Sequence, residues 1–328
     1  MSNSNTPIRF HSKLAPLMKA FIEEKQACGY RYHDPTRLLF HFDQFLCKEN
    51  QEAMELPWAI SRQWLSKQPH ESERTHQHRI TVVRQFTNFM QRQGYHADVP
   101  GRILSARQDR SFMPRILTHH EIKQLLQAVD QLVPNGRTPF RHLIMPEVFR
   151  LLYGCGFRVS ELLNLRKKDV DLNQGILTVR EGKFGKDRLV PPDLSLVIRL
   201  RTYIDILEDR SDDAPLFPSN ISNQSLNIRT VYSQFRQLLQ VCGIPFAGRG
   251  KGPRVHDLRH TFAVHSLLRW YREGADLNAK LPVLAAYLGH RSVTHTQYYL
   301  HLTAELFPEI TRRVNLVFDD VIPLRRVP

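Results

Sequence analysis

The sequence predicts a mainly α-helical protein with a small antiparallel β-sheet, an α+β fold in two domains. Three observations predict it. The 328 residues correspond to roughly two domains of ordinary size. Apolar residues recur at helical spacing through most of the chain. Strand-like patterns occur at Gly175–Val179 and Arg188–Val190, and Gly182 and Gly185 between them suit a turn.

Four helices are predicted in the N-terminal part. The first ends near Gly29. The second opens at Asp34 and Pro35, which suit an N-cap and a first helical turn. The third opens at Pro57, and the fourth covers about 73–92. Their apolar stripes comprise Leu14, Leu17, Met18, Phe21 and Ile22; Leu38 to Leu46; Trp58, Ile60, Trp64 and Leu65; and Ile80, Val83, Phe86 and Met90.

The net charge of +14 favours a polyanionic partner, because Lys and Arg release counterions when they neutralise phosphates. A basic protein without such a partner is the alternative. Arg74, Arg79 and Arg84 lie at polar positions of the fourth predicted helix and are candidate DNA contacts. A solvated helix face is the usual interpretation of such a pattern.

Residues 98–115 form the predicted linker, because proline and glycine interrupt the helical pattern there. Arg102 and Arg107 lie in this basic stretch, which can follow a phosphate backbone. Residues 1–97 are then a helical N-terminal domain, and residues 116–328 a second domain with a C-terminal tail.

The second domain is predicted to begin with a helix whose capping box joins Thr118 and Glu121. A further helix covers about 143–153 and ends at Gly154. The chain past Pro192 is mostly helical in pattern.

The cysteines are far apart and form no CxxC pair, which predicts reduced, buried thiols of an intracellular protein. The first residues do not have the apolar core of a signal peptide, and no apolar run reaches membrane-spanning length. A cytoplasmic, nucleoid-associated protein is therefore expected. The cysteines are Cys28, Cys47, Cys155 and Cys242.

Arg158 follows Gly154-Cys155-Gly156, which predicts a sharp turn just before it. Glu161 lies on the same helical face and can orient the guanidinium, whose fork suits two phosphate oxygens. A structural Arg–Glu pair is the alternative.

His256 and Arg259 share one helix face, where an imidazole and a guanidinium fit proton transfer and charge stabilisation at one phosphate. His260 completes an i, i+4 histidine pair, but Asp257 stands where the zinc-protease pattern needs Glu, so no metal site is predicted. Surface residues of a helix are the alternative for His256 and Arg259.

Tyr299 is a weak nucleophile unless nearby Arg and His stabilise its phenolate. A packing role is the usual one for a lone tyrosine. The loop with Arg249 and Lys251 is interpreted as a basic loop touching a DNA backbone, or else as a plain surface loop.

In order and spacing, these residues resemble the tyrosine recombinase, or phage integrase, family. That family has Arg in a G-x-R-x-x-E context, Lys on a hairpin turn, H-x-x-R, His in an L-G-H context, and Tyr nine residues later. Tyr298 occupies the position at which that family has an apolar residue next to its tyrosine. The resemblance implies the catalytic residues Arg158, Lys183, His256, Arg259, His290 and Tyr299.

The resemblance also implies a mechanism. Tyr299 attacks the scissile phosphate to give a 3′-phosphotyrosine, and His256 takes the phenol proton. Lys183 protonates the leaving 5′-oxygen, while Arg158 and Arg259, helped by His290, bind the non-bridging oxygens. No cofactor, metal or ATP is implied.

The implied partner is double-stranded DNA, held by four protomers on two sites. The helical first domain resembles the core-binding domain of the family. A predicted helix extension at 267–272 favours an integrase of a mobile element. The alternatives are a nicking-closing enzyme of the type IB topoisomerase kind and an accessory DNA-binding protein with an unused site.

Overall fold

The chain divides into two compact units, Met1–Phe112 and Met113–Pro328, and the division falls inside the predicted linker. Both units are mainly helical and the second contains one small sheet, which confirms the predicted fold class. None of the helices described is both long and apolar enough to cross a bilayer. The computed structural model describes residues 9–49, 52–101, 114–136, 140–180, 182, 187–206, 210–219, 224–246, 248 and 252–302.

The first unit contains the four predicted helices, and the fourth has the predicted bounds. The second begins at His33 rather than Asp34, and Tyr32 before it has a left-handed backbone with φ of 50°. Tyr32 is held there because its hydroxyl donates to Gln85 and its ring packs edge-on against Phe21. The helices are α1 (Ala15–Ala27), α2 (His33–Lys48), α3 (Trp58–Leu65) and α4 (Glu73–Arg92).

Two carboxylates tie the irregular segments of this unit to its helices. Asp43 on α2 is fully buried and accepts hydrogen bonds from the backbone N–H groups of His11 and Ser12. Asp98 accepts from the backbone N–H of Trp58, the first residue of α3, at 2.7 Å. Arg84 donates to the carbonyl oxygens of Pro100 and Gly101. Residues 98–101 are therefore attached to the first unit, although the sequence pattern predicts them in the linker.

Arg79 does not have the exposure that a DNA contact needs, which corrects its inclusion among the predicted contacts. It is 8% exposed, pairs with Glu71 at 3.2 Å and donates to the carbonyl oxygen of Trp64. Its guanidinium also lies 4.5 Å from the centre of the Trp64 ring. The sequence pattern could not show this, because the partners come from α3 and the α3–α4 loop. Arg74 is exposed and Arg84 is half-buried.

The second unit combines its helices with a three-stranded antiparallel sheet. The strands β1 (Val170–Asp171), β2 (Ile176–Val179) and β3 (Arg188–Val190) lie in sequence order, and Val179 pairs with Arg188. The β2–β3 hairpin was predicted, and β1 adds to it. The helices are α5 (His119–Asp130), α6 (Arg141–Gly154), α7 (Val159–Leu163), α8 (Leu194–Asp205), α9 (Ile228–Val241), α10 (Asp257–Arg272), α11 (Leu277–Leu288) and α12 (Thr294–Gln297), followed by a 3₁₀ turn at Tyr298–Leu302.

Local hydrogen bonds explain where several of these helices begin. Thr118 and Glu121 form the predicted capping box of α5. The side chains of Asp193, Asn227 and Asp276 accept from the first-turn N–H groups of α8, α9 and α11. As predicted, α10 continues through the 267–272 segment.

Two apolar cores lie side by side in the second unit. The larger core is formed by the helices from α5 through α9 together with the sheet, and it contains Phe157 and Leu258. The smaller joins α10 and α11 to the turn at the end of the described chain, and contains Leu288 and Tyr299. Helix α10 contributes to both cores, so its first turns lie between them.

All four cysteines are free, but the prediction that they are buried is wrong for two of them. Cys28 and Cys47 are exposed, Cys242 is half-buried and Cys155 is buried. Cys28 follows the last residue of α1 and Cys47 lies on the outer side of α2, positions that the apolar stripes of those helices leave to solvent.

We predict that Arg79→Ala destabilises the first unit by about 3 kcal/mol, because Glu71 is left buried without its partner. Arg74→Ala, at an exposed position of the same helix, should change the unfolding free energy by less than about 0.5 kcal/mol. Urea unfolding followed by tryptophan fluorescence measures both. An unchanged stability of Arg79→Ala with weaker DNA binding would restore Arg79 as a DNA contact.

Candidate active site

The loop between α6 and α7 brings Arg158 next to α10 and α11. Gly156 has φ of +61°, and a Cβ there would lie 2.6 Å from Phe262 and 2.8 Å from Leu288. Only glycine fits that backbone and that close approach. Its carbonyl oxygen accepts a hydrogen bond from Arg259 at 2.7 Å.

Glu161 holds two guanidiniums. One carboxylate oxygen accepts from Arg158 at 2.5 Å and the other accepts from Arg188 at 2.8 Å. Burial alone would raise the pKa of this carboxyl group, but the hydrogen bonds and charges of Arg188 and Arg158 lower it to about 2. Glu161 is therefore ionised at neutral pH and holds the guanidinium of Arg158.

Arg188 joins the site although its sequence pattern does not predict it. It is the first residue of β3 and donates to the carbonyl oxygen of Tyr287 at 3.0 Å as well as to Glu161. The signal was present, because Arg188 ends the hairpin turn that contains the predicted Lys183. Only the fold shows that it faces Glu161.

Arg259 is the most enclosed of the site's cations, at 1% exposed. It donates to the carbonyl oxygen of Gly156 at 2.7 Å and to that of Leu288 at 2.6 Å. Burial, followed by the charge of Arg158, lowers the pKa of Arg259. A guanidinium starts from so high a pKa that it still carries its charge at neutral pH.

The end of α11 positions His290. Gly289 closes the helix in the left-handed conformation with φ of 67°, and its carbonyl oxygen accepts from Arg158 at 3.3 Å. The Nδ1 atom of His290 lies 2.8 Å from the hydroxyl of Thr296. Burial and the charge of Arg259 lower the pKa of His290 to about 3, so this imidazole is neutral at pH 7.

Tyr299 lies inside this cluster, whereas Tyr298 points outward. Tyr299 is 3% exposed and Tyr298 is 41% exposed. The ring centre of Tyr299 is 6.1 Å from that of His290 and 5.5 Å from that of His260. Burial raises the pKa of Tyr299, and the charge of Arg259 with a hydrogen bond from it acts in the opposite direction.

The two histidines at the start of α10 lie ring to ring. The ring centres of His256 and His260 are 4.7 Å apart and nearly perpendicular. Burial and the charge of Arg259 lower the pKa of His256 to about 4. The Nδ1 atom of His260 is 3.1 Å from the hydroxyl oxygen of Tyr299, a contact that the sequence did not predict. Its i, i+4 spacing from His256 was the available signal, and it was considered only as metal spacing.

The described residues thus bring together Arg158, Glu161, His256, Arg259, His290 and Tyr299. They include no group of three or more His, Cys, Asp or Glu side chains placed to hold a metal ion. The remaining predicted site residues lie outside the described ranges. They are Lys183, Arg102, Arg107, Arg249 and Lys251.

The sequence model of the phage integrase family matches residues 115–305. The chain is therefore a tyrosine-type site-specific recombinase. It belongs to the phage integrase family. It is 30% identical over 309 residues to the "Putative integrase/recombinase y4rB" of Sinorhizobium fredii, covering 92% of this chain and 97% of that protein. It is 35% identical over 210 residues to the tyrosine recombinase XerA of Pyrococcus furiosus, covering 62% of this chain and 63% of that protein.

Two solved structures share the fold. The XerH site-specific recombinase bound to a palindromic difH substrate matches with a TM-score of 0.63 and 19% identity, over 90% of this chain and 83% of that chain. The Tn1549 transposon integrase in complex with transposon right end DNA matches with a TM-score of 0.59 and 14% identity, over 86% and 94%.

We predict that Glu161→Gln destabilises the second unit in a pH-dependent way. The folded-state pKa of about 2 lies below the ordinary value of 4.5. The ionised carboxylate therefore stabilises the fold by about 3 kcal/mol above roughly pH 4.5, and this contribution is lost as the pH falls toward 2. Urea unfolding of both proteins at several pH values measures the difference. A gap that stays constant down to the lowest pH at which the wild type folds would contradict the assignment.

Proposed function

We propose that the chain cuts and rejoins DNA strands through a covalent 3′-phosphotyrosine at Tyr299. The observation that supports this most is the placement of the Tyr299 hydroxyl, buried beside the charged Arg259 and two neutral imidazoles. A phenol is a weak nucleophile in water, and a nearby guanidinium stabilises the charge that develops as it reacts.

The scissile phosphate is bound by Arg158 and Arg259. Glu161 and two carbonyl oxygens already fix these guanidiniums, so they need little rearrangement to meet the extra negative charge of the pentacoordinate state. Neutral His256 and His290 can donate hydrogen bonds to the same oxygens. Loss of one such donor typically lowers the rate by about 10²–10³-fold.

Bond making and breaking then balance within the site. The phenol proton of Tyr299 passes to a neighbouring neutral imidazole as the Tyr299 oxygen bonds to phosphorus, the bond from phosphorus to the 5′-oxygen breaks, and Lys183 gives the leaving oxygen a proton. A 5′-hydroxyl of a second strand reverses these steps, and the phosphotyrosine conserves the bond energy so that neither ATP nor metal is needed. The proposed role of Lys183 is supported by its position in the sequence between β2 and β3. Arg188, the first residue of β3, contacts Glu161 of the site.

The partner is double-stranded DNA, with four protomers on two sites in the working complex. The charge of +14, exposed Arg74 and half-buried Arg84 support DNA binding. Arg102, Arg107, Arg249 and Lys251 are proposed further contacts. The XerH and Tn1549 structures contain DNA, which supports the same partner for this chain.

The natural task is the integration, excision or transposition of a mobile element in the cytoplasm, at the nucleoid. The y4rB protein is named as an integrase/recombinase, and the Tn1549 protein as a transposon integrase. The long α10, which continues to Arg272, also fits this assignment.

We predict that the wild type forms a covalent adduct with nicked duplexes drawn from DNA flanking the gene, without divalent metal. Tyr299→Phe should form none, because it removes the hydroxyl that lies 3.1 Å from Nδ1 of His260 and beside the charge of Arg259. Tyr298→Phe is the matched control and should keep the adduct, since Tyr298 is 41% exposed. A denaturing gel with labelled DNA measures all three proteins.

The opposite pattern, with the adduct lost in Tyr298→Phe and kept in Tyr299→Phe, would contradict the choice of nucleophile. Adduct formation with relaxation of supercoils but without strand exchange between two sites would indicate a nicking-closing enzyme. Tight DNA binding without any adduct would indicate an accessory DNA-binding protein.

A further inference from the structure

The hydroxyl group of Tyr299 has two polar neighbours, the cation Arg259 and the imidazole of His260. The phenol oxygen of Tyr299 feels the positive charge of Arg259, which carries only N–H donors and therefore offers the phenol hydrogen no acceptor. The single phenol hydrogen is then left for another acceptor. The Nδ1 atom of His260 lies 3.1 Å from that oxygen, within the distance for accepting it.

We propose that His260 is the catalytic base that takes the proton of Tyr299 during strand cleavage. This proposal rests on the proposed function of Tyr299 as the nucleophile. As the bond from the Tyr299 oxygen to phosphorus forms, the phenol proton moves to Nδ1 of His260. It returns from Nδ1 to the same oxygen when a 5′-hydroxyl displaces the tyrosine.

The fold fixes the position of His260. It lies in the first turn of α10, next to Arg259, whose two carbonyl contacts hold that turn in place. The perpendicular ring of His256 lies against it, at 4.7 Å between centres. The imidazole therefore has little freedom to leave the hydroxyl, and proton transfer needs such a prearranged contact.

The charge state of His260 also suits a proton acceptor. Burial, then the charges of His256, Arg254, Arg259 and His290, lowers the pKa of His260 to about 3, so the ring is neutral before the reaction. The negative phosphate of a bound strand acts in the opposite direction and raises that pKa. A bound strand therefore makes it easier for His260 to take up the proton.

This assignment differs from the one that the sequence predicts, in which His256 takes the phenol proton. His256 precedes the first residue of α10, one helical turn before His260. The contact with Tyr299 belongs to His260, so His256 is left to act at the phosphate oxygens beside Arg259. The two histidines can be separated by experiment, because only the base should set the pH dependence of phenol ionisation.

We predict that His260→Asn lowers the rate of adduct formation by about 10²–10⁴-fold at neutral pH. The Asn amide can accept a hydrogen bond where Nδ1 lies but takes no proton, so the rate should rise about tenfold per pH unit as hydroxide removes the proton. The wild type should vary little between about pH 6 and pH 8. His120→Asn, at an exposed position on α5, is the matched control and should behave as the wild type.

A substrate with sulfur at the bridging 5′-position separates the base from the acid. Sulfur leaves without a proton, so this substrate should restore Lys183→Ala but not His260→Asn. A wild-type pH profile in His260→Asn, or restoration of its rate by sulfur, would overturn the proposal. The hydroxide-dependent profile appearing in His256→Asn instead would give the role to His256.

A measurement without DNA tests the same contact. In the ¹⁵N spectrum of the full chain, His260 should be the tautomer protonated at Nε2, with Nδ1 free to accept. Protonation at Nδ1 would overturn the proposal even if Tyr299 proves to be the nucleophile. Failure of the wild type to form any adduct would remove the proposed function itself, and the role of His260 with it.

Discussion

The buried guanidinium of Arg259 is the constraint on which the site depends. A charge that is 1% exposed is stable only if its donors are satisfied, and the carbonyl oxygens of Gly156 and Leu288 satisfy two of them. These carbonyls come from two separate turns, one before α7 and one at the end of α11. The same contacts that make burial of the charge possible therefore bring Arg158 and His290 to Tyr299.

A second shared group extends this arrangement to the sheet. Glu161 accepts hydrogen bonds from both Arg158 and Arg188, so one carboxylate joins the loop before α7 to the first residue of β3. Arg188 also contacts the carbonyl oxygen of Tyr287 near the end of α11. The strand that follows the proposed position of Lys183 is thereby anchored to the helix that precedes His290, so segments distant in the sequence are held at one site.

Much of the fold was predictable, because it depends on local signals. The bounds of α4 and β3 and the capping box of α5 follow from periodicity and capping residues alone. The features that could not be predicted depend on contacts between distant segments. Arg79 has the polar spacing of a surface residue but packs on Trp64, and Tyr32 adopts a left-handed backbone because of partners on α1 and α4.

The same distinction holds for the site. Motif order was enough to propose Arg158, Arg259 and Tyr299, since the resemblance preserves their spacing. Arg188 ends the turn that contains Lys183, and His260 directly follows Arg259. Neither residue belongs to the motif pattern itself, so its type alone gave no reason to select it.

The most direct test of the account is a crystal structure of Tyr299→Phe bound to a nicked target duplex. The scissile phosphorus should lie about 3–4 Å from the position of the missing hydroxyl, with its oxygens accepting from Arg158 and Arg259. A phosphate bound elsewhere, with both guanidiniums still engaged only by protein, would contradict it.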